Sequence, residues 1–131
     1  MLSGLGLIAT TTGDLADAER HLGDALSIFR RAGDRWGIVS TLWRIADLAV
    51  VRGELDAAQS ALQEALVILG PTRRERWIAG TLAGLADVAV LRGDRERAAS
   101  LLADARDRYA AGTDSVGVAA AVERLDALRA K

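Results

Sequence analysis

The sequence predicts an all-α fold: a right-handed superhelix of antiparallel helix pairs, about seven helices in all. Three observations carry this expectation. The chain repeats itself at a step of 40 residues. Small and apolar residues recur within each unit at spacings of three and four, and no segment alternates apolar and polar residues with a period of two.

The repeat is visible without gaps. Gly13-Asp14-Leu15-Ala16-Asp17-Ala18 lies over Gly53-Glu54-Leu55-Asp56-Ala57-Ala58 and over Gly93-Asp94-Arg95-Glu96-Arg97-Ala98. The same columns align Leu22, Leu62 and Leu102, then Ala25, Ala65 and Ala105, then Ile45-Ala46-Asp47 with Leu85-Ala86-Asp87. Between 13–52 and 53–92, 15 of 40 positions are identical, too many for chance. The expected organisation is one repeat domain over 1–131, with a partial repeat at 1–12 and repeats at 13–52, 53–92 and 93–131.

Each unit resolves into two helices. Gly13, Gly53 and Gly93 stand where a helix is expected to stop, because glycine accepts the left-handed conformation that closes a helix C-terminus. The acidic residue after each favours the start of the next helix, where the dipole is positive. Ala-x-x-x-Leu-x-x-Ala then lays one stripe along a helix face. A second break falls at Ala32-Gly33-Asp34, Gly70-Pro71-Thr72 and Ala111-Gly112-Thr113-Asp114, with Asp34, Thr72 and Asp114 as expected N-caps and Thr72 with Glu75 at capping-box spacing. Helices are expected over 2–12, 14–31, 35–52, 54–69, 73–92, 94–111 and 114–129.

Composition narrows the function. Half the residues are apolar, enough for a sizeable core in 131 residues. Seventeen basic and 18 acidic side chains are scattered along the chain, the wrong field for nucleic acid, which needs a basic patch. Cysteine is absent, which excludes disulfides and thiolate metal sites and fits a reducing compartment. Asp47 and Asp87 interrupt the two longest apolar runs, and no basic region precedes an apolar run at the start, so neither a membrane span nor a signal peptide is expected. The expectation is a soluble, cytoplasmic protein with no nucleic-acid or membrane partner.

At these residues the sequence resembles the tetratricopeptide repeat family. The family's first helix carries large-x-x-Leu-Gly-x-x-Tyr; here the pattern is Leu42-x-x-Ile45-Ala46-x-x-Ala49 and Leu82-x-x-Leu85-Ala86-x-x-Ala89. Its second helix carries Ala-x-x-x-Phe-x-x-Ala; here it is Ala18-x-x-x-Leu22-x-x-Ala25, Ala58-x-x-x-Leu62-x-x-Ala65 and Ala98-x-x-x-Leu102-x-x-Ala105. Alanine replaces the family's Gly and Tyr, and the step is 40 residues where the family's is 34. The extra residues fall at the second break, where they lengthen both helices. This long form, with the phrase Gly33-Asp34-Arg35-Trp36-Gly37-Ile38, is similar to C-terminal repeats of bacterial signal-transduction ATPases and transcriptional regulators, which act as sensing or partner-binding arms. A HEAT-type stack, also near 40 residues per repeat, is the alternative architecture.

The resemblance implies a scaffold that binds a protein or peptide partner, with the first helices lining a concave groove. On the family's pattern the groove positions are Ser40, Trp43, Asp47 and Val50, then Gly80, Ala83, Asp87 and Val90, then Ala120, Glu123 and Ala127. Asp47 and Asp87 are the recurring polar members, and a bare carboxylate on an apolar helix is costly unless paired or wet. Either they hold a cationic or amide group of a bound segment, or each pairs with an arginine such as Arg44 or Arg92 or caps a neighbouring helix. Trp43, at a groove position, is either a binding anchor or a packing residue; Trp36 and Trp77 read as plugs at helix starts. The family's lysine and asparagine clamp for a terminal carboxylate is absent. The helix from Trp77 to Leu91 is apolar nearly all round, Thr81 and Asp87 aside, so either something besides its neighbours covers it or the groove is narrow.

The two ends differ. Glu123, Arg124, Asp126, Arg129 and Lys131 suit a last helix facing water. Leu2 to Ala9 carries no charge and aligns with half a helix, so Leu2, Leu5, Ile8 and Ala9 form a candidate self-association edge for a homodimer. The alternative is that this edge continues a longer array.

No catalytic centre is expected, and no cofactor or metal. His21 is the only histidine and, without cysteine, builds no zinc site. Gly4-Leu5-Gly6 lacks the strand and third glycine of a dinucleotide loop. Thr10-Thr11-Thr12 reads as a helix end, and Arg73-Arg74-x-Arg76 as a solvated helix start. Asp47 and Asp87 as an acid–base pair lack a further catalytic partner.

Overall fold

A computed structural model of the chain describes residues 12–130. All of its regular structure is helical: α1 Thr12–Ala32, α2 Arg35–Val51, α3 Leu55–Leu69, α4 Glu75–Leu91, α5 Arg95–Ala111 and α6 Ser115–Arg129. These are six of the seven expected helices; the expected 2–12 helix lies outside the described residues. Among the described residues there is no strand. The chain divides into two compact units, Met1–Ala65 and Leu66–Lys131.

The helix ends keep the 40-residue register. Asp34 caps α2 by accepting the Gly37 amide at 3.1 Å, and Asp114 caps α6 by accepting the Gly117 amide at 3.0 Å. Asp94 caps α5 in the same way through the Arg97 amide. Gly33, Gly53 and Gly93 have φ of 68°, 74° and 81°. This left-handed conformation closes the helix before each at little cost only for glycine.

Two expectations about helix ends are corrected. Gly13 is not a stop: α1 begins at Thr12 and passes through it. The first-turn amides of a helix have no intrahelical acceptor, so a glycine there disrupts no established ladder. Thr72 is not an N-cap, and no capping box forms with Glu75. The α4 N-cap is Arg74, which makes no side-chain capping bond. The Thr72 hydroxyl instead donates to the Leu69 carbonyl at 2.7 Å, closing α3, and accepts the Arg74 amide at 3.4 Å. Residues 34, 74 and 114 form one column, so the repeat sets where α4 starts even without capping chemistry.

In the first unit α1 packs on α2. Val39, Leu42, Ala46 and Ala49 of α2 are buried. Gly37 lies so close beneath the Phe29 ring that a Cβ there would overlap it. Ion pairs from Arg52 to Glu19 (2.9 Å) and from Arg30 to Glu64 (2.7 Å) tie α1 to α2 and to α3.

In the second unit α5 packs against both α4 and α6. Ala86, Leu102 and Leu125 form its core, with Leu101 and Leu128 packed around them. Truncating a leucine as enclosed as Leu102 costs about 2–5 kcal/mol. Arg108 reaches Glu75 and Arg76 reaches Asp114, both at 3.2 Å. Arg95 donates to the carbonyl of Leu128 near the end of α6. Gly112 is small for a different reason from Gly33: a Cβ there would stand 3.1 Å from Arg76 Cγ and 3.2 Å from Glu75 Cβ.

Candidate functional site

The candidate positions on α2 follow from helix geometry. Residues 40, 43, 47 and 50 step by three, four and three, which places them in one stripe along a single face. The face next to it, about 100° round the helix, is buried through Val39, Leu42, Ala46 and Ala49. The stripe itself stays accessible: Ser40, Trp43 and Val50 are half-buried and Asp47 is exposed.

Asp47 makes no hydrogen bond or ion pair among the described residues, with Arg44 or any other. The packed helix around it strips away enough water to push its carboxyl above the ordinary value, and burial is the only cause of that shift. A carboxylate in that state gains from any cation brought beside it. Trp43 stands one turn before it, and i, i+4 side chains are neighbours on a helix surface.

The corresponding stripe on α4 is built differently. Ala83 and Gly80 are half-buried, while Asp87 and Val90 are exposed. Asp87 is ion-paired with Arg124 of α6. Of the two readings of Asp87, the arginine partner is the one present here, supplied by α6 and not by Arg92. Burial lowers the Arg124 guanidinium from its ordinary value. The column that holds Trp43 on α2 is Ala83 on α4 and Glu123 on α6, and Glu123 is exposed with Ala120 and Ala127. The α4 stripe is therefore already neutralised within its own unit and has no aromatic beside its carboxylate.

The polar Thr81 of this apolar helix is fully buried, and its hydroxyl donates to the Trp77 carbonyl at 2.9 Å. Thr41 repeats the bond to Gly37 at 2.7 Å in α2. Each hydroxyl is satisfied inside its own helix and offers nothing to a ligand. Much of the apolar surface of α4 is covered, through Ile78, Leu82, Leu85, Ala86, Val88 and Ala89; Val90 and Leu91 stay exposed at its end. Trp36 and Trp77 are half-buried, and His21 is exposed. The self-association positions Leu2, Leu5, Ile8 and Ala9 lie outside the described residues. Among the described residues no three His, Asp or Glu side chains come together as a metal site. No helix there is long and apolar enough to cross a membrane.

Arg124 is the residue that the sequence did not expose as part of this arrangement. Its signal was an opposite charge 37 residues after Asp87, one helical turn short of a full repeat.

A family model for the tetratricopeptide repeat matches residues 1–70. The chain belongs to the tetratricopeptide repeat family. No curated protein and no solved structure matches it. Tetratricopeptide repeats generally mediate protein–protein interaction and are typically non-catalytic. The matched residues contain α1, α2 and α3, and so the Ser40, Trp43, Asp47 and Val50 stripe of this tetratricopeptide repeat chain.

Proposed function

We propose that the chain is a non-catalytic scaffold that takes a protein or peptide partner on the exposed stripe of its first helices, α2 foremost. One observation carries this reading. On α2 a half-buried tryptophan and an exposed carboxylate stand one turn apart, next to the face through which Val39, Leu42, Ala46 and Ala49 pack into the unit. Tryptophan is the residue type most enriched among interface positions that dominate binding. The repeat organisation 13–52, 53–92 and 93–131 is supported by N-caps that recur at Asp34, Arg74 and Asp114.

The test is affinity capture from the source cell with wild type, Trp43→Ala and Asp87→Ala, each checked for unchanged helical circular dichroism. The partner should be retained by wild type and Asp87→Ala and lost with Trp43→Ala. Equal capture by all three overturns the reading.

A second reading, self-association, rests on the uncharged segment 2–9 with Leu2, Leu5, Ile8 and Ala9. Light scattering at high micromolar concentration should then give a dimer, and a monomer overturns it.

A further inference from the structure

We propose that the chain joins a second copy of itself head to tail, the face of α6 that holds Val122 and Arg129 taking the face of α1 that holds Ile28 and Asp17. The self-association reading rests on segment 2–9; this contact is a different one, between two unlike faces of described residues.

Two departures from the repeat carry the argument. In α2 the column Val39, Leu42, Ala46 and Ala49 is buried, and so is its counterpart in α4, Ala79, Leu82, Ala86 and Ala89. In α6 the same column is Ala119, Val122, Asp126 and Arg129, and all four are exposed. The other departure is on α1. Ala25 is half-buried there, where Ala65 of α3 and Ala105 of α5 are fully buried. His21 is exposed where Ala61 is buried and Leu101 half-buried, and Asp17 and Ile28 on the same side are exposed as well.

The packing of α4 on α5 shows that these two columns belong together. Glu75 lies on the same side of α4 as Ala79, Leu82, Ala86 and Ala89, and Arg108 on the same side of α5 as Leu101 and Ala105, by steps of three and four. Glu75 and Arg108 meet at 3.2 Å. Those sides therefore face each other, with the start of α4 beside the end of α5.

The same antiparallel arrangement between two copies brings matching chemistry together. Ala119 and Val122, near the start of α6, meet Ala25 and Ile28 near the end of α1. Asp126 meets His21, whose imidazole can donate to it, and Arg129 meets Asp17, which is otherwise ion-paired at the surface with Arg20. Apolar end meets apolar end, and the polar ends are complementary. The other two second helices do not fit: α3 and α5 carry Ala57 and Arg97 where α1 carries Asp17, so neither offers Arg129 an acid. Because the two faces differ, each added copy leaves one of each kind open, and growth does not stop at two.

The test uses the full chain and two variants, Ile28→Arg and Val122→Arg, which change residues exposed in the single copy; unchanged helical circular dichroism checks the fold. A contact of one helix on one helix is small, with a Kd of about 0.1 mM, so sedimentation velocity is run at about 0.3 mM chain. Wild type should rise past two chains in mean mass as concentration increases. Each variant alone should stay close to one chain, its association weakened at least about tenfold by the cost of burying an unpaired charge. Mixed in equal amounts, the two should rise toward two chains and not past them, because Val122→Arg keeps the α1 face and Ile28→Arg keeps the α6 face. A monomeric wild type overturns both this contact and the segment 2–9 reading. Either variant associating as wild type does overturns this contact and leaves the segment 2–9 reading standing. Monomeric variants that fail to pair when mixed overturn it too.

Discussion

Gly117 lies directly beneath the ring of Tyr109, so close that a Cβ would overlap the ring atoms. Eighty residues earlier Gly37 and Phe29 make the same arrangement in the other unit. In the middle repeat the same two columns hold Trp77 and Leu69, and Leu69 is fully buried. An aromatic faces a glycine at the two outer pairs, while the central columns hold leucine and tryptophan. Close packing explains why: where one helix supplies a ring, the other has to supply space.

Gly117→Ala should therefore destabilise the second unit, although alanine is the better helix former. The helix propensity gained is about 1 kcal/mol, while forcing a methyl into a filled space costs about 1–3 kcal/mol. A net loss of about 1 kcal/mol is expected in urea unfolding. Tyr109→Leu added to Gly117→Ala should recover part of it, because the smaller side chain restores the room. A stabilised Gly117→Ala would show that the ring moves aside freely.

Thr113→Gly should stabilise. Thr113 has φ of 56° in the column where Gly33 has φ of 68°, and a β-branched residue in that conformation is strained. Relief of about 1–2 kcal/mol is offset by about 0.4–1 kcal/mol of added freedom in the unfolded chain, and by the hydroxyl's bond to the Gly112 carbonyl at 2.7 Å. A higher urea midpoint at unchanged slope is the expected result. The reverse exchange, Gly33→Thr, should lower the midpoint.

The helical architecture was legible because repeat, stripe and cap all point the same way, and Asp34 and Asp114 show how directly: each is a capping residue before an apolar run, and each caps. Thr72 misled for the opposite reason. Its local chemistry suits a cap, but the 40-residue register starts α4 at Glu75, and Thr72 closes α3. The stripe of Ser40, Trp43, Asp47 and Val50 needed only helix periodicity. The partner of Asp87 needed more: Arg124 is 37 residues away, and only the packing of helices around α5 brings the two together. One-dimensional spacing places residues on faces; pairing between helices is set by crossing geometry.

The Asp87–Arg124 pair should contribute little to stability despite its close geometry. The two side chains are 60% and 38% exposed, and pairs of this kind couple by about 0.2–1 kcal/mol. A double-mutant cycle with Asp87→Asn and Arg124→Gln should return a value in that range, shrinking as salt is raised. A coupling above about 2 kcal/mol would mean that the pair is cut off from water.

Asp47→Asn should raise stability at neutral pH while weakening partner binding. Its carboxyl is held above the ordinary 3.8 by burial, with no charge beside it to offset the effect. The folded state therefore holds this proton more tightly than the unfolded chain does. The stability it contributes is fully present below pH 3.8 and is lost as pH rises through the folded value. At pH 7 the charged form is a liability that asparagine removes, by no more than a few tenths of a kcal/mol because solvent screens so open a group. Unfolding by urea at about pH 2.8 and pH 7 should show the variant level with wild type at the lower pH and ahead at the higher. A variant less stable than wild type at pH 7 would mean that the carboxylate has a structural partner. A variant that is more stable at pH 7 yet captures less partner would show that Asp47 is kept for binding at a cost to the fold.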